Sequence, residues 1–187
     1  TTQIPKMKFF GAEIGRMVMG TNQFYGYAHF NNILATVMRE FYTPEKVCEV
    51  LHQACRHGIN AFNYVALSRA PQDWARFTGE GGKMHLIMQG INDDPGVDFR
   101  AVKPLAIYRH GERTDKDYQA GKLHDVREWC KKVRQFGMVV GVGTHKPEVI
   151  AHRKLRSVTL GEHLNLQFES ELTVRYQIQE MLRIEKI

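Results

Sequence analysis

The chain of 187 residues reads as an α/β protein. The expected architecture is a partial (β/α)8, TIM-type barrel of about five βα units, followed by a small C-terminal α+β appendage. Three observations predict it. Short β-branched or apolar runs at residues 14–19, 59–62, 84–88, 105–108 and 138–142 are separated mostly by helical patterns. Each run ends in small or polar residues: Gly20-Thr21-Asn22, Asn63, Gln89-Gly90, Arg109-His110 and Gly143-Thr144-His145. Parallel strands joined by helices place such ends on one face, where barrels of this type carry their chemistry. The alternation then stops near residue 150, whereas a whole barrel takes about 250 residues.

Residues 7–20 read as a lead-in hairpin and then a first strand that ends at Gly20. The connection from Thr21 to Tyr42 carries Asn22, Tyr25, Tyr27, His29, Asn31 and Asn32. It far exceeds the roughly two to six residues of a usual βα loop, and its part from Ile33 to Phe41 has the pattern of a helical turn or two. The next helix is the clearest. Thr43 is a natural N-cap, Pro44 fits the first turn, and Glu45 suits the positive end of the helix dipole. Val47, Val50, Leu51 and Ala54 fall on one face, and Gly58 takes the position just past the end. Strand two follows at once.

Residues 71–77 form a short helix and residues 79–82 a glycine-rich loop. Strand three runs into Gln89-Gly90-Ile91-Asn92-Asp93-Asp94-Pro95-Gly96, which is turn chemistry throughout. Residues 98–103 allow a brief helix before strand four. Residues 122–136 make a full helix, with Leu123, Val126, Cys130 and Val133 inward and Gly137 stopping it. Strand five follows, and residues 147–151 open another helix.

After His152 the style changes. Residues 158–160 and 164–168 read as two strands around Gly161-Glu162-His163, and Ser170 or Thr173 caps a last helix through Glu185. Val174, Ile178, Met181 and Leu182 share a face of that helix. A hairpin does not continue the βα alternation, so residues 1–151 are expected to form the barrel portion and residues 152–187 a β-hairpin plus helix.

Composition narrows the function classes. A hydrophobic share of 43% and a charged share of 25% are those of an ordinary globular protein. No apolar run approaches the ~18 residues that a membrane helix needs. The segment Thr1-Thr2-Gln3-Ile4-Pro5-Lys6 lacks the apolar core of a secretory signal, and residue 1 is not Met, which points to a segment upstream. Cys48, Cys55 and Cys130 have neither the number of a disulfide framework nor the spacing of zinc ligands. They read as reduced packing thiols of a cytoplasmic protein. The net charge of +6 favours an anionic partner in general. Its basic residues are scattered apart from Lys131-Lys132-Val133-Arg134 and His152-Arg153-Lys154-Leu155-Arg156, and no nucleic-acid motif accompanies them. The expected partner is a small-molecule substrate, with no nucleic acid and no membrane.

Several stretches carry a family resemblance. Met19-Gly20-Thr21-Asn22-Gln23-Phe24 and His57-Gly58-Ile59-Asn60-Ala61-Phe62-Asn63 resemble the first two strands of the aldo/keto reductases. The longer segment from Gly20 to Asn31, together with Arg109-His110-Gly111 and the segment from Gly141 to Ile150, is similar to a poorly characterised bacterial branch of that superfamily. The resemblance covers residues 8–151. It implies a TIM barrel and NADPH-dependent carbonyl reduction by an Asp, Tyr, Lys and His tetrad. Residue by residue, the aspartate position holds Asn63, the tyrosine position Ser68, and the lysine position Gln89 or Gly90. Only the histidine is kept, as His110. An amide at Asn63 cannot hold the charge that tunes the lysine. The family's cofactor phosphate site lies in the last two βα loops, beyond the five units read here. Residues 153–187 resemble an uncharacterised bacterial domain family, and two such pieces in one chain point to a gene fusion, a frameshifted locus or an assembly artefact.

On the expected active face, His110, Asn63 and Gln89 are the catalytic candidates, and Asn22, Tyr25, His29, Arg113 and His145 the substrate-binding ones. His29, His110 and His145 also form a candidate metal set, with Asp93 adding an oxygen. Three imidazoles with an open position suit Zn²⁺ or another divalent transition ion that activates water. No H-x-H or H-E-x-x-H spacing supports that set, and the same histidines equally suit loop hydrogen bonding or an anionic substrate. Arg109 and Arg113 either clamp a carboxylate or phosphate, or pair with Glu112 or Asp115. Three functions stay open: an aldo/keto reductase-related oxidoreductase-like enzyme that has left the ancestral tetrad, a metal-assisted hydrolase or isomerase, and an inactive fragment or fusion product. An open half-barrel exposes strand edges, which residues 157–169 or the second chain of a homodimer would cover.

Overall fold

A computed structural model describes residues 3–28, 31–99 and 101–153, with side chains up to residue 150. His29 and the expected C-terminal hairpin and helix lie outside the described residues. The elements run β1 (Lys6–Phe9), β2 (Ala12–Gly15), α1 (Asn22–Tyr25), α2 (Asn32–Phe41), α3 (Pro44–Arg56), β3 (Ala61–Tyr64) and α4 (Ala70–Gly79). They continue as β4 (His85–Gly90), α5 (Pro95–Asp98), β5 (Ala106–Arg109), α6 (Gly111–Gln119), α7 (Leu123–Gln135), β6 (Val139–Val142) and α8 (Pro147–Arg153). The molecule is a mixed α/β protein built on a parallel sheet of four strands in the order β3-β4-β5-β6.

The first expected strand is divided. β1 and β2 pair antiparallel across a turn in which Phe10 and Gly11 have φ of 44° and 84°. Residues 16–18 leave the hairpin, and Met19 then makes a single parallel bridge to Phe62. Its N–H donates to Ala61, and its carbonyl accepts from the Asn63 N–H at 2.8 Å. One bridge is all that remains of strand one because the hairpin takes up Ala12–Gly15.

Period-2 alternation divides the sheet into two faces. Phe62, Tyr64, Leu86, Met88, Ile107 and Val140 pack with Val47, Cys48 and Leu51 of α3, Phe77 of α4, and Trp129, Cys130 and Val133 of α7. Every one of these helices therefore lies on the same side. On the other face Ala61, Ile87, Ala106 and Tyr108 cluster with Phe9 and Ile14 of the hairpin. The hairpin covers the amino-terminal half of that face, leaving Asn63, Gln89 and the strand ends beyond it. Gly15 is held there by its N–H bond to Asn60 Oδ1 at 2.7 Å. A Cβ on Gly15 would sit 2.5 Å from the Gly58 carbonyl oxygen, so no side chain fits at this crossing.

The helices follow their local chemistry. Thr43 accepts from the Lys46 N–H, as an N-cap does. α2 is a full helix of 10 residues, longer than the expected turn or two, with Asn31 accepting from Leu34 N as its cap. α6 is the element that periodicity misses. Glu112, Arg113, Asp115, Lys116 and Asp117 leave it no apolar stripe, and it buries Thr114 and Asp115 instead. In α7, Trp129 is buried along with Val126, Cys130 and Val133, while Leu123 is half-buried.

Candidate functional site

The carboxyl ends of β3, β4, β5 and β6 gather the polar groups. Asn63 and Gln89 lie on the face away from the helices, with Tyr108 in register with Gln89. The Tyr108 hydroxyl donates to Asn63 Oδ1 at 3.0 Å. Burial pushes the Tyr108 hydroxyl up to about 12, against the Asn63 bond that lowers it. Because the Asn63 oxygen is engaged, its NH₂ group keeps its donors for a ligand.

His110 ends this row and precedes the first residue of α6. Its carbonyl accepts from Thr114, and its own N–H is tied to the Gly90 carbonyl at 2.9 Å. Burial, opposed by Glu112 and aided by His145 and Arg113, pushes the imidazole pKa below its ordinary value, so the ring is neutral near pH 7.

The tightest polar cluster lies next to it. Asp115 on α6 accepts from the His145 N–H at 3.0 Å and from the Thr144 hydroxyl, and sits 2.7 Å from His145 Nδ1. Burial works against its charge, but the bonds from Thr144 and His145 outweigh it and hold the carboxyl below the usual carboxylate range. An ionised carboxylate only accepts, so Nδ1 carries a proton, and in the neutral ring Nε2 is then the acceptor. Thr144 also accepts from the Lys146 N–H at 3.1 Å, fixing the loop between β6 and α8.

The remaining expected residues are dispersed. Asn22 is exposed at the start of α1. Tyr25 is buried with its ring under Arg69, 5.7 Å away, and burial followed by the neighbouring Asp73 pushes its hydroxyl up. Arg113 bonds the exposed Asp93 at 2.6 Å. Arg109 turns to the helix side, 5% exposed, against Trp129 and on Asp117 at 2.7 Å. Among the described residues no group of three His, Cys, Asp or Glu side chains is placed to hold a metal ion. His29 of the expected metal set lies outside them.

Sequence reasoning missed Asp115 and Thr144 as site residues. The signal was a histidine directly after a strand-end threonine, but its partner sits on a helix that has no periodicity to reveal it.

The tetrad positions do not fit a nicotinamide cofactor. They present an amide engaged by Tyr108, a serine, a second amide and one imidazole. Tyr64, next to Asn63, is buried on the helix side and pushed up to about 12 by that burial. No phenol at these positions has its pKa lowered toward proton donation, so they do not supply the tuned tyrosine that carbonyl reduction needs.

A family described as "Protein of unknown function (DUF3501)" matches residues 143–187. No curated protein and no solved structure matches the chain. The matched segment begins inside the stretch expected to belong to the barrel, so Thr144 and His145 fall within it, and Asp115 and His110 outside. Among the described residues no helix is long and apolar enough to cross a membrane.

Proposed function

We propose that the described chain is part of a (β/α)8 barrel of aldo/keto reductase-like descent that binds a small carbonyl compound at its strand ends. The observation that carries the reading is the winding: strand order follows chain order, α3, α4 and α7 share one face, and Met19 extends the sheet beyond β3. Doubly wound sheets instead reverse their strand order and carry helices on both faces. The motifs around Gly20, Asn63 and His110 supply the likeness to the family.

In this reading the neutral His110 donates its ring N–H to the carbonyl oxygen of the substrate. The Asn63 and Gln89 amides hold neighbouring hydroxyl or carboxylate oxygens. With the tetrad largely replaced, this reading involves no hydride transfer.

Saturation-transfer NMR with hydroxyacetone and pyruvate tests it on the full chain. Binding of at least one compound, weakened about tenfold by His110→Ala and by Asn63→Ala, is expected; tenfold corresponds to ~1.4 kcal/mol. No binding, or binding indifferent to both substitutions, overturns it.

A further inference from the structure

We infer that Asp115 and His145 form a proton-transfer dyad which, beside His110, enolises an α-hydroxycarbonyl compound and so makes this site an isomerase centre. The inference rests on the carbonyl-binding reading above and assigns the reaction at that same site.

Three geometric facts carry it. Asp115 receives bonds from the Thr144 hydroxyl, the His145 N–H and the His145 ring, so the imidazole is fixed in position and in tautomer. The side chain of Asp115 is 12% exposed and that of His145 49% exposed, so a buried anion backs a ring that opens to solvent. That ring lies against Gly111: a Cβ there would come within 2.9 Å of His145 Cε1. His145, from the loop after β6, thus stands beside the residue that follows His110, near enough for its charge to act on the His110 ring. Neither His145 Nε2 nor the His110 ring has a hydrogen bond among the described residues.

This is the arrangement that base-catalysed enolisation needs. His145 Nε2 takes the hydrogen α to the carbonyl as a proton. The C–H electron pair becomes the new C=C bond, and the carbonyl π pair moves to oxygen, where the His110 N–H holds it. Asp115 stabilises the imidazolium that forms. A proton passes between the two oxygens of the enediolate, and His145 returns its proton to the adjacent carbon. The product is the isomeric hydroxycarbonyl compound, with no net oxidation and no co-reactant. Asp115 is a positioning residue, and His145 is the catalytic base.

The test is deuterium exchange at the α-carbon of hydroxyacetone in D₂O, followed by proton NMR on the full chain. The expected acceleration over buffer is of order 10²-fold or more, lost in His145→Gln. That substitution is at a half-exposed side chain and spares the fold. Long-range nitrogen–proton NMR should show His145 protonated at Nδ1, and Asp115→Asn should mix the tautomers and slow exchange at least tenfold. Hydroxyacetone binding that persists with exchange at the buffer rate overturns the dyad and leaves the carbonyl-binding reading intact. Undiminished exchange in His145→Gln, or His145 protonated at Nε2, also overturns the dyad. Absence of carbonyl binding overturns both.

Discussion

The Tyr108 hydroxyl and the Asn63 amide oxygen, 3.0 Å apart, tie β5 to β3 across the intervening β4. The bond lies on the face opposite the helices, just above the apolar layer of Ile87 and Ala106. A buried phenol needs a partner, and an aspartate in place of Asn63 would set a charge beside it.

Tyr108→Phe should lower stability by ~1 kcal/mol, the usual net value of one hydrogen bond with its remaining partner left half-buried. Urea unfolding should show a lower midpoint at unchanged slope. An unchanged midpoint would mean that the Asn63 oxygen finds a substitute partner.

Much of the fold was legible in the sequence. Thr43, Pro44 and Gly58 bracket α3, and the apolar runs locate β3 to β6, because caps and periodicity are local signals. Strand one was only partly legible: nothing local says that the hairpin takes Ala12–Gly15 and leaves Met19 one bridge. Asp115 was hidden for a different reason. Its helix buries polar groups, so hydrophobic periodicity gives no sign of it, and the bond to His145 joins residues far apart in the chain.

Arg109 and Arg113 illustrate how burial decides the value of a charge. Arg109 is 5% exposed and held by Asp117, which is 20% exposed, whereas Arg113 pairs with an Asp93 that is 80% exposed. Arg109→Met strands Asp117 and removes the guanidinium packed on Trp129, a loss of roughly 3 kcal/mol. Arg113→Ala should change stability by less than ~0.5 kcal/mol. Chemical denaturation of the two variants compares them directly, and equal losses would refute the burial argument.

Acid should weaken the fold through Asp115. Its pKa is held below the ordinary carboxylate value in the folded state, so the unfolded chain binds that proton more readily. The stabilisation is present above the unfolded carboxylate pKa and fades as pH falls through the carboxylate range and below. Stability measured from pH 7 to pH 3 should decline less steeply in Asp115→Asn than in the native chain. Parallel declines would place the acid sensitivity elsewhere.

Gly111 separates the stability of the fold from the geometry of the dyad. It is buried at the start of α6 with no positive φ, so alanine suits its backbone, and helix propensity favours the change. The added methyl meets the His145 ring 2.9 Å away, and that half-exposed ring has room to yield outward at the cost of its Asp115 bond. Swinging outward breaks the contact between Nδ1 and Asp115 while leaving the Thr144 bond in place. Gly111→Ala should therefore keep its unfolding midpoint within ~1 kcal/mol of the native chain, while His145 loses its fixed tautomer and the deuterium exchange of hydroxyacetone falls toward the buffer rate. Large destabilisation would mean that the ring cannot move. Undiminished exchange with a displaced ring would mean that Asp115 does not position the base.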